Sequence, residues 1–285
     1  MVASRPPPAE RVRERLRAVA GDALAEAMPR GYQRLGCVLL LRLPPALAPY
    51  GPFLGAAWQE ELGVATVLDH RGPIEGELRR PLLRTLAGTC AETEVVEHGT
   101  RWRLDASKVM FAAGNRTERL RFAQLVQGRE RVADLFAGIG YFTIPAARAR
   151  PEARFVAVEK NPVAFGYLEE NLRLNGVAPR VRAVLGDNRA VPLEPRSFDR
   201  VVLGYLPTSV PWLPRAIDLL RRPVGVVHAH LVVDARDARR NALDAVAAEV
   251  GRCGATVDGT PLAREVKPYG PGRTHVVVDA TLRPP

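Results

Sequence analysis

The chain has 285 residues, of which 47% are hydrophobic and 25% are charged, as is typical of a globular protein with one large domain or two of ordinary size. It has no apolar run long enough to cross a membrane, and its first residues lack the apolar core of a signal peptide. Its three cysteines lack metal-ligand spacing, which predicts reduced thiols in a cytoplasmic protein. The net charge of +10 favours an anionic polymer as partner, although arginine-rich genomes also encode basic proteins without one.

Residues 1–104 are predicted to form a small α+β domain. Apolar residues recur at helical spacing from Glu10 to about Ala27, which predicts an amphipathic helix. A strand, a second helix, a second strand and a hairpin that turns at His98 and Gly99 are predicted to follow. These elements are placed, in chain order, at residues 10–27, 35–43, 56–62, 64–68, 92–98 and 100–104.

Residues 105–285 are predicted to form an α/β domain, in which strands and helices alternate from residue 131 onward. Such alternation specifies a doubly wound parallel sheet, which binds ligands beyond the carboxyl ends of its strands. The predicted strands are 131–136, 154–159, 181–186, 199–205, 224–230 and 274–281. The predicted helices are 141–150, 162–175, 211–222 and 235–253.

The most informative segment is residues 132–142, where an apolar strand ends in Asp134 and is followed by Gly138 and Gly140. Only glycine lets a backbone turn this sharply while a ligand lies against it. The next predicted strand ends in Glu159, where a carboxylate can hold the hydroxyl pair of a ribose. The pattern therefore predicts a nucleoside cofactor, whereas a glycine turn that binds nothing would not need Glu159 in register.

Two features of this turn indicate which nucleoside binds. A dinucleotide-binding motif would place a third glycine where this chain has Thr143. The segment 134–147 also contains no lysine or arginine that could balance a diphosphate. An acidic turn of this kind suits a cationic ligand without phosphate, and it predicts S-adenosylmethionine.

Two further motifs follow predicted strands. Asp187 and Asn188 can accept from the amino group of an adenine and donate to its ring nitrogen, although an Asp-Asn pair is also a common turn. Gly204 and Tyr205 follow the fourth strand of the α/β domain, where enzymes that methylate amino groups commonly carry an amide or a carboxylate. The polar residue that a nitrogen nucleophile needs is therefore missing here.

Basic side chains and histidines lie near the same strand ends. Residues 110–115 are predicted to form a loop that enters a helix with Arg119 and Arg121, which cannot both face a core. At least one of them therefore serves solvent, a carboxylate or a phosphate. His228 and His230 share one face at the end of the fifth strand, where they make a poor metal site and are expected to contact substrate or to bond to backbone in the core.

On these residues the chain resembles the wybutosine-pathway tRNA enzymes that transfer the 3-amino-3-carboxypropyl group, and it is similar to their relatives, the archaeal-eukaryotic tRNA guanine-N1 methyltransferases. The loop at 110–115 and Gly204-Tyr205 resemble the first group rather than the second. The stretches that carry the resemblance are 76–79, 104–111, 114–115, 118–119, 134–142, 159–162, 187–189, 199–205, 228–230, 266–269 and 275–279.

The resemblance implies a Rossmann-like class I adenosylmethionine-dependent methyltransferase fold and a set of site residues. Arg119 and Tyr205 are expected to take part in catalysis, Arg119 by anchoring the methionyl carboxylate. Ala112 stands where the family usually has serine, so any contact that it makes must use its backbone. The residues expected to bind the cofactor are Ala112, Arg119, Asp134, Phe136, Ala137, Gly138, Gly140, Glu159, Lys160, Asp187, Asn188 and Gly204.

The activity implied is transfer of the aminocarboxypropyl group to 4-demethylwyosine, a modified guanine next to the anticodon of tRNA-Phe, with release of methylthioadenosine. The N-terminal domain would help to position the tRNA. No metal is expected, and the protein is expected to be a monomer. The alternatives are a tRNA guanine-N1 methyltransferase, an inactive RNA-binding subunit and a transferase with a small-molecule acceptor. No general base can be identified from the sequence.

Overall fold

A computed structural model describes residues 5–285 and divides the chain into two compact units, Met1–Phe111 and Ala112–Pro285. Part of the segment predicted to lack a signal peptide, residues 1–4, lies outside the described residues. Among the described residues, no helix is both long and apolar enough to cross a membrane.

The first unit combines a mixed sheet with helices on its apolar side. Strands β1 to β4 form the sheet in that order, with β2 and β3 parallel, and β5 and β6 form a separate hairpin. Leu16, Leu54 and Trp58 pack the helices against the sheet. The elements are α1 (Pro8–Ala20), α2 (Asp22–Glu26), β1 (Gln33–Leu35), β2 (Val38–Leu41), α3 (Gly51–Leu62), β3 (Thr66–His70), β4 (Leu83–Ala87), β5 (Glu92–Glu97) and β6 (Thr100–Asp105).

The first unit confirms the hairpin that turns at His98 and Gly99 but corrects two other predictions. The helix predicted over 10–27 is divided into α1 and α2 because Gly21 has a φ of 81°. The strand predicted over 35–43 is instead a hairpin of β1 and β2, which turns at Gly36 with a φ of 52°. In both cases apolar periodicity continues across a glycine whose left-handed backbone ends the element.

The second unit is a three-layer α/β fold. The sheet order is β12-β14-β11-β10-β7-β8-β9, with β13 paired to the outer side of β14. The elements are α4 (Arg116–Leu125), β7 (Arg131–Asp134), α5 (Thr143–Ala149), β8 (Arg154–Glu159), α6 (Pro162–Leu174), β9 (Val181–Leu185), β10 (Arg200–Leu203), α7 (Leu213–Leu219), β11 (Gly225–Asp234), α8 (Ala238–Arg252), β12 (Thr256–Val257), β13 (Leu262–Gly270) and β14 (Arg273–Arg283).

The doubly wound parallel sheet is confirmed, with one correction at its edge. Strands β9, β8, β7, β10 and β11 run parallel, whereas β14 is antiparallel to β11 and forms a hairpin with β13. Strand β13 was not predicted, because an outer strand that is largely exposed shows no apolar alternation.

The sheet topology determines where a ligand can bind. The chain runs outward from β7 through β8 to β9 and then returns to β10 on the other side of β7. The crevice at such a switch point is the usual binding site of a doubly wound sheet. Asp134, Val202 and His228 are paired in register across β7, β10 and β11, so residues just beyond them lie around this crevice.

Candidate active site

The turn after β7 depends on its two glycines. Gly138 and Gly140 have φ values of 57° and 103°, in the region that side chains disfavour. A Cβ on Gly140 would lie 2.4 Å from Cδ1 of Ile144 and 3.3 Å from Cδ1 of Leu168. The absence of side chains therefore lets the turn lie directly on α5 and α6.

Asp134 is buried at the start of this turn. The backbone N–H of Phe136 donates to its Oδ1 over 3.2 Å, and the hydroxyl of Thr143 donates to its Oδ2 over 2.8 Å. Burial raises the pKa of Asp134 to about 7, and the nearby Glu159 acts in the same direction. Thr143, which replaces the third glycine of a dinucleotide motif, thus holds the acidic group of the turn.

Glu159 connects the end of β8 to the glycine turn. Its Oε2 accepts a hydrogen bond from the N–H of Gly138 over 2.7 Å, and its Oε1 accepts one from the N–H of Asn161 over 2.7 Å. Burial raises the pKa of Glu159, although the residue is partly and not fully buried. Each carboxylate oxygen retains a lone pair that could accept from a ribose hydroxyl.

Asp187 and Asn188 have different environments. The guanidinium of Arg189 donates to both carboxylate oxygens of Asp187, over 2.9 and 2.6 Å, and Nζ of Lys160 lies 3.0 Å from Oδ2. The hydrogen bonds from Arg189 hold the pKa of Asp187 well below its usual range. Asp187 therefore remains ionised, and its lone pairs are largely used by two cations.

Asn188 provides the test of whether an adenine fits this crevice. The residue is 5% exposed, and its Nδ2 donates to the carbonyl of Leu135 over 2.7 Å. Its Oδ1 is buried without a hydrogen-bond partner among the described residues. A buried acceptor of this kind needs a donor, and the amino group of adenine is one. The residues present thus fit the predicted nucleoside.

Three aromatic rings lie beyond β7 and β10. The rings of Phe136 and Tyr205 are stacked with centroids 4.9 Å apart, and the ring of Trp212 lies 5.2 Å from Phe136 and 5.1 Å from Tyr205. Gly204 packs closely, since a Cβ there would lie 3.0 Å from the Phe142 ring. Trp212 was not predicted as a site residue, because only the tertiary fold brings it to Phe136.

Arg119 and Ala112 come together although a loop separates them. Arg119 lies on α4 and is 2% exposed, and its Nη2 donates to the carbonyl of Ala112. Its guanidinium carbon lies 4.6 Å from the centre of the Tyr141 ring, at a distance typical of a cation–π contact. The guanidinium is therefore held between the loop and the residue that follows Gly140.

The remaining predicted site residues have simpler positions. Ala137 is buried, and its N–H donates to the carbonyl of Val158 over 2.9 Å. His228 and His230 lie inside β11 rather than at its end, because the strand continues to Asp234. Nδ1 of His230 lies 2.9 Å from Nε2 of His275, so its partner is a side chain and not the backbone. Within residues 5–285, no cluster of His, Cys, Asp or Glu could hold a metal ion.

The sheet order, the antiparallel final strand and the crevice at the switch point define a Rossmann-like methyltransferase fold. Residues 93–253 match the family model described as the TRM5/TYW2 methyltransferase domain, and residues 12–91 match the TYW2 N-terminal domain. The chain belongs to the TRM5/TYW2 family.

Named relatives agree with this assignment. The chain is 35% identical over 269 residues, 94% of its length and 95% of the relative, to the tRNA(Phe) (4-demethylwyosine(37)-C(7)) aminocarboxypropyltransferase of Pyrococcus horikoshii. It is similar to the crystal structure of P. horikoshii TYW2 in complex with MeSAdo, with a TM-score of 0.84, 32% identity and coverage of 97% of this chain and 100% of the other. For M. jannaschii TYW2 in complex with AdoMet the TM-score is 0.73 and the identity 31%, over 90% and 100% of the two chains.

Proposed function

We propose that this chain transfers the 3-amino-3-carboxypropyl group of S-adenosylmethionine to 4-demethylwyosine, a modified guanine next to the anticodon of tRNA(Phe). The observation that carries the proposal is the 35% identity, over nearly the whole chain, to the archaeal enzyme named for this reaction. The match of residues 12–91 to the TYW2 N-terminal domain favours this activity over guanine-N1 methylation.

The crevice suits a cationic nucleoside cofactor. Asp134 and Glu159 supply acidic groups, and no lysine or arginine occurs between residues 134 and 147. Glu159 would hold the ribose hydroxyls, and Oδ1 of Asn188 would accept from the adenine amino group. When bound, S-adenosylmethionine supplies a sulfonium whose attached carbons are electrophilic.

Arg119 would determine which group is transferred. Its guanidinium, which contacts the Ala112 carbonyl and the Tyr141 ring, would make a charge-assisted bond with the methionyl carboxylate. This contact would favour displacement at the aminocarboxypropyl chain over displacement at the methyl group. Tyr205 and Phe136 offer a stacked aromatic surface to an acceptor base rather than an amide for an exocyclic nitrogen. This combination supports the transferase activity.

The partner and the compartment are parts of the same proposal. The net charge of +10 would favour contact with the tRNA backbone, and residues 1–104 would help to position the tRNA. The cysteines Cys37, Cys90 and Cys253 are unpaired, which suits a reducing cytoplasm.

The leaving group tests the proposal. Incubation of the protein with S-adenosylmethionine and tRNA that carries 4-demethylwyosine, followed by mass spectrometry, should yield methylthioadenosine and a nucleoside heavier by the aminocarboxypropyl group. Arg119→Ala should reduce this product far more than it reduces tRNA binding. Arg236→Ala removes the same charge from a side chain that is 93% exposed and should leave the product unchanged.

Three results would contradict the proposal in different ways. S-adenosylhomocysteine formed together with a methylated guanosine would indicate the methyltransferase alternative. tRNA binding without cofactor binding in a calorimetric titration would indicate an inactive RNA-binding subunit. Product formed from a tRNA-free metabolite extract would indicate a small-molecule acceptor.

A further inference from the structure

A network of buried and partly buried polar contacts links α4 to strands β10, β11 and β14. None of its six residues is among those assigned above to the cofactor. Five of the six carry a formal charge at neutral pH. The six residues are Glu118, Arg121, Asp279, His228, Arg200 and Glu130. Ionised groups are costly to remove from water unless they are paired, which explains why these residues bond to one another. What needs an explanation is the presence of five charged residues at this position.

Arg121 joins α4 to β14. Its Nη1 and Nη2 donate to the two carboxylate oxygens of Asp279, over 2.5 and 3.1 Å. Its Nε and Nη2 donate to the two oxygens of Glu118, over 2.9 and 2.6 Å. A guanidinium that bridges two carboxylates in this way has a fixed orientation. Arg121 therefore fixes the middle of α4 against the sheet.

His228 connects Asp279 to Arg200, and its neighbours determine where its proton lies. Nη1 of Arg200 lies 2.6 Å from Nε2 of His228, and a guanidinium can only donate. Nε2 is therefore the acceptor, and the proton lies on Nδ1, which donates to Oδ1 of Asp279 over 2.5 Å. Burial lowers the pKa of His228, in agreement with a neutral ring. Asp279 thus accepts from α4 and from β11 together.

Arg200 and Glu130, at the other end of this network of contacts, hold the carboxyl end of α4. Nη2 of Arg200 donates to the carbonyl of Leu125, the last residue of the helix, over 3.0 Å. Nε and Nη2 of Arg200 also donate to the carboxylate of Glu130, over 2.8 and 2.9 Å. The last carbonyls of a helix lack partners within the helix, so the bond to Leu125 anchors this end.

We infer that Asp279 is a positioning residue, which orients α4 so that Arg119 holds the methionyl carboxylate of the cofactor. The inference rests on the proposed function, since it uses the role of Arg119 given there. Arg119 and Arg121 are two positions apart, and their side chains therefore project from nearly opposite sides of the helix. Asp279 binds Arg121 on one side of α4. On the other side, Arg119 contacts Ala112 and Tyr141.

Two ligands separate positioning from a general structural effect. S-adenosylmethionine has the methionyl carboxylate, whereas methylthioadenosine has the same adenosine and no carboxylate. In Asp279→Asn, which keeps the side-chain volume, the dissociation constant of S-adenosylmethionine should rise about tenfold. This is the scale seen when a residue that orients a metal-binding side chain is replaced. The constant for methylthioadenosine should change less than twofold. Isothermal titration calorimetry measures both constants.

Matched variants complete the experiment. Asp258→Asn makes the same chemical change in a surface pair with Arg283 and should alter neither constant. His228→Gln should bind both ligands as the wild type does, because an amide can donate to Asp279 while accepting from Arg200. His228→Leu, which can do neither, should resemble Asp279→Asn. If Asp279→Asn does not fold, Arg121→Lys provides the same comparison.

The two ligands also give results that overturn the inference. Equal weakening of both ligands in Asp279→Asn would mean that Asp279 only stabilises the fold. Unchanged binding of S-adenosylmethionine would mean that α4 needs no such support. Both dissociation constants are measured without tRNA, and neither depends on which group the enzyme transfers. Failure of the inference is therefore distinguishable from failure of the proposed function.

Discussion

Three carboxylates at the crevice show how the environment of a single residue sets its charge. Asp134 is buried, and its pKa is raised to about 7. Glu159 is partly buried and its pKa is raised, whereas two cations hold the pKa of Asp187 well below its usual range. The sequence places all three acids at strand ends, but their protonation depends on packing that only the structure reveals.

Cofactor binding should therefore depend on pH through Asp134. A cationic ligand favours the ionised carboxylate, so binding below pH 7 must release a proton from Asp134 and becomes weaker. The dissociation constant of S-adenosylmethionine should rise roughly tenfold from pH 8 to pH 6. Calorimetry in two buffers of different ionisation enthalpy would detect the released proton.

The control is Asp134→Asn, which cannot ionise and should remove this part of the pH dependence. A constant affinity from pH 6 to pH 8 in the wild type would refute the prediction.

The raised pKa of Asp134 also affects folding stability, with a pH dependence opposite to that of cofactor binding. Because the pKa of Asp134 is higher in the folded state than in the unfolded state, its contribution to stability is greatest at low pH and is lost as the pH rises through about 7.

At the scale of elements, the glycine turn offers a direct test of backbone conformation. Gly140→Ala would place a Cβ 2.4 Å from Ile144 at a φ of 103°, and it should lower the free energy of unfolding by about 1–3 kcal/mol and weaken cofactor binding. Gly166→Ala, in the interior of α6 with no atom within 4 Å of the new Cβ, should instead raise the free energy of unfolding by about 0.5–1 kcal/mol. Urea denaturation would measure both changes, and equal effects would show that the turn has no special requirement for glycine.

Local sequence patterns could predict the central strands of the large sheet but not β4 and β13, each of which lies at the edge of a sheet. Strands β7, β8 and β10 are largely buried apolar runs, so their sequences alone indicate strands. Strand β4 is partly exposed without clear alternation, and β13 is largely exposed, so neither has such a signal. The same distinction holds in the crevice. The acids and glycines are local motifs, whereas the contacts of Trp212 with Phe136 and of Thr143 with Asp134 arise from folding.

At the scale of the whole molecule, the net charge of the chain is opposite to the charge of the glycine turn. The chain has 41 lysines and arginines against 31 aspartates and glutamates, while the glycine turn and the strand end beside it carry Asp134 and Glu159. A basic surface suits a polyanion, and an acidic turn suits a cationic cofactor. The two proposed substrates should therefore respond differently to salt.

Salt dependence is the last prediction. If the net charge of +10 serves the tRNA backbone, the logarithm of the tRNA association constant should fall linearly with the logarithm of the salt concentration. Affinity should fall on the order of a hundredfold or more between about 50 and 200 mM salt, because each phosphate contact releases counterions. The affinity for S-adenosylmethionine, measured in the same buffers, should change little because that site holds one small ligand. A tRNA affinity as insensitive to salt as the cofactor affinity would mean that the basic composition does not serve RNA binding, and the contacts with tRNA would then have to be uncharged.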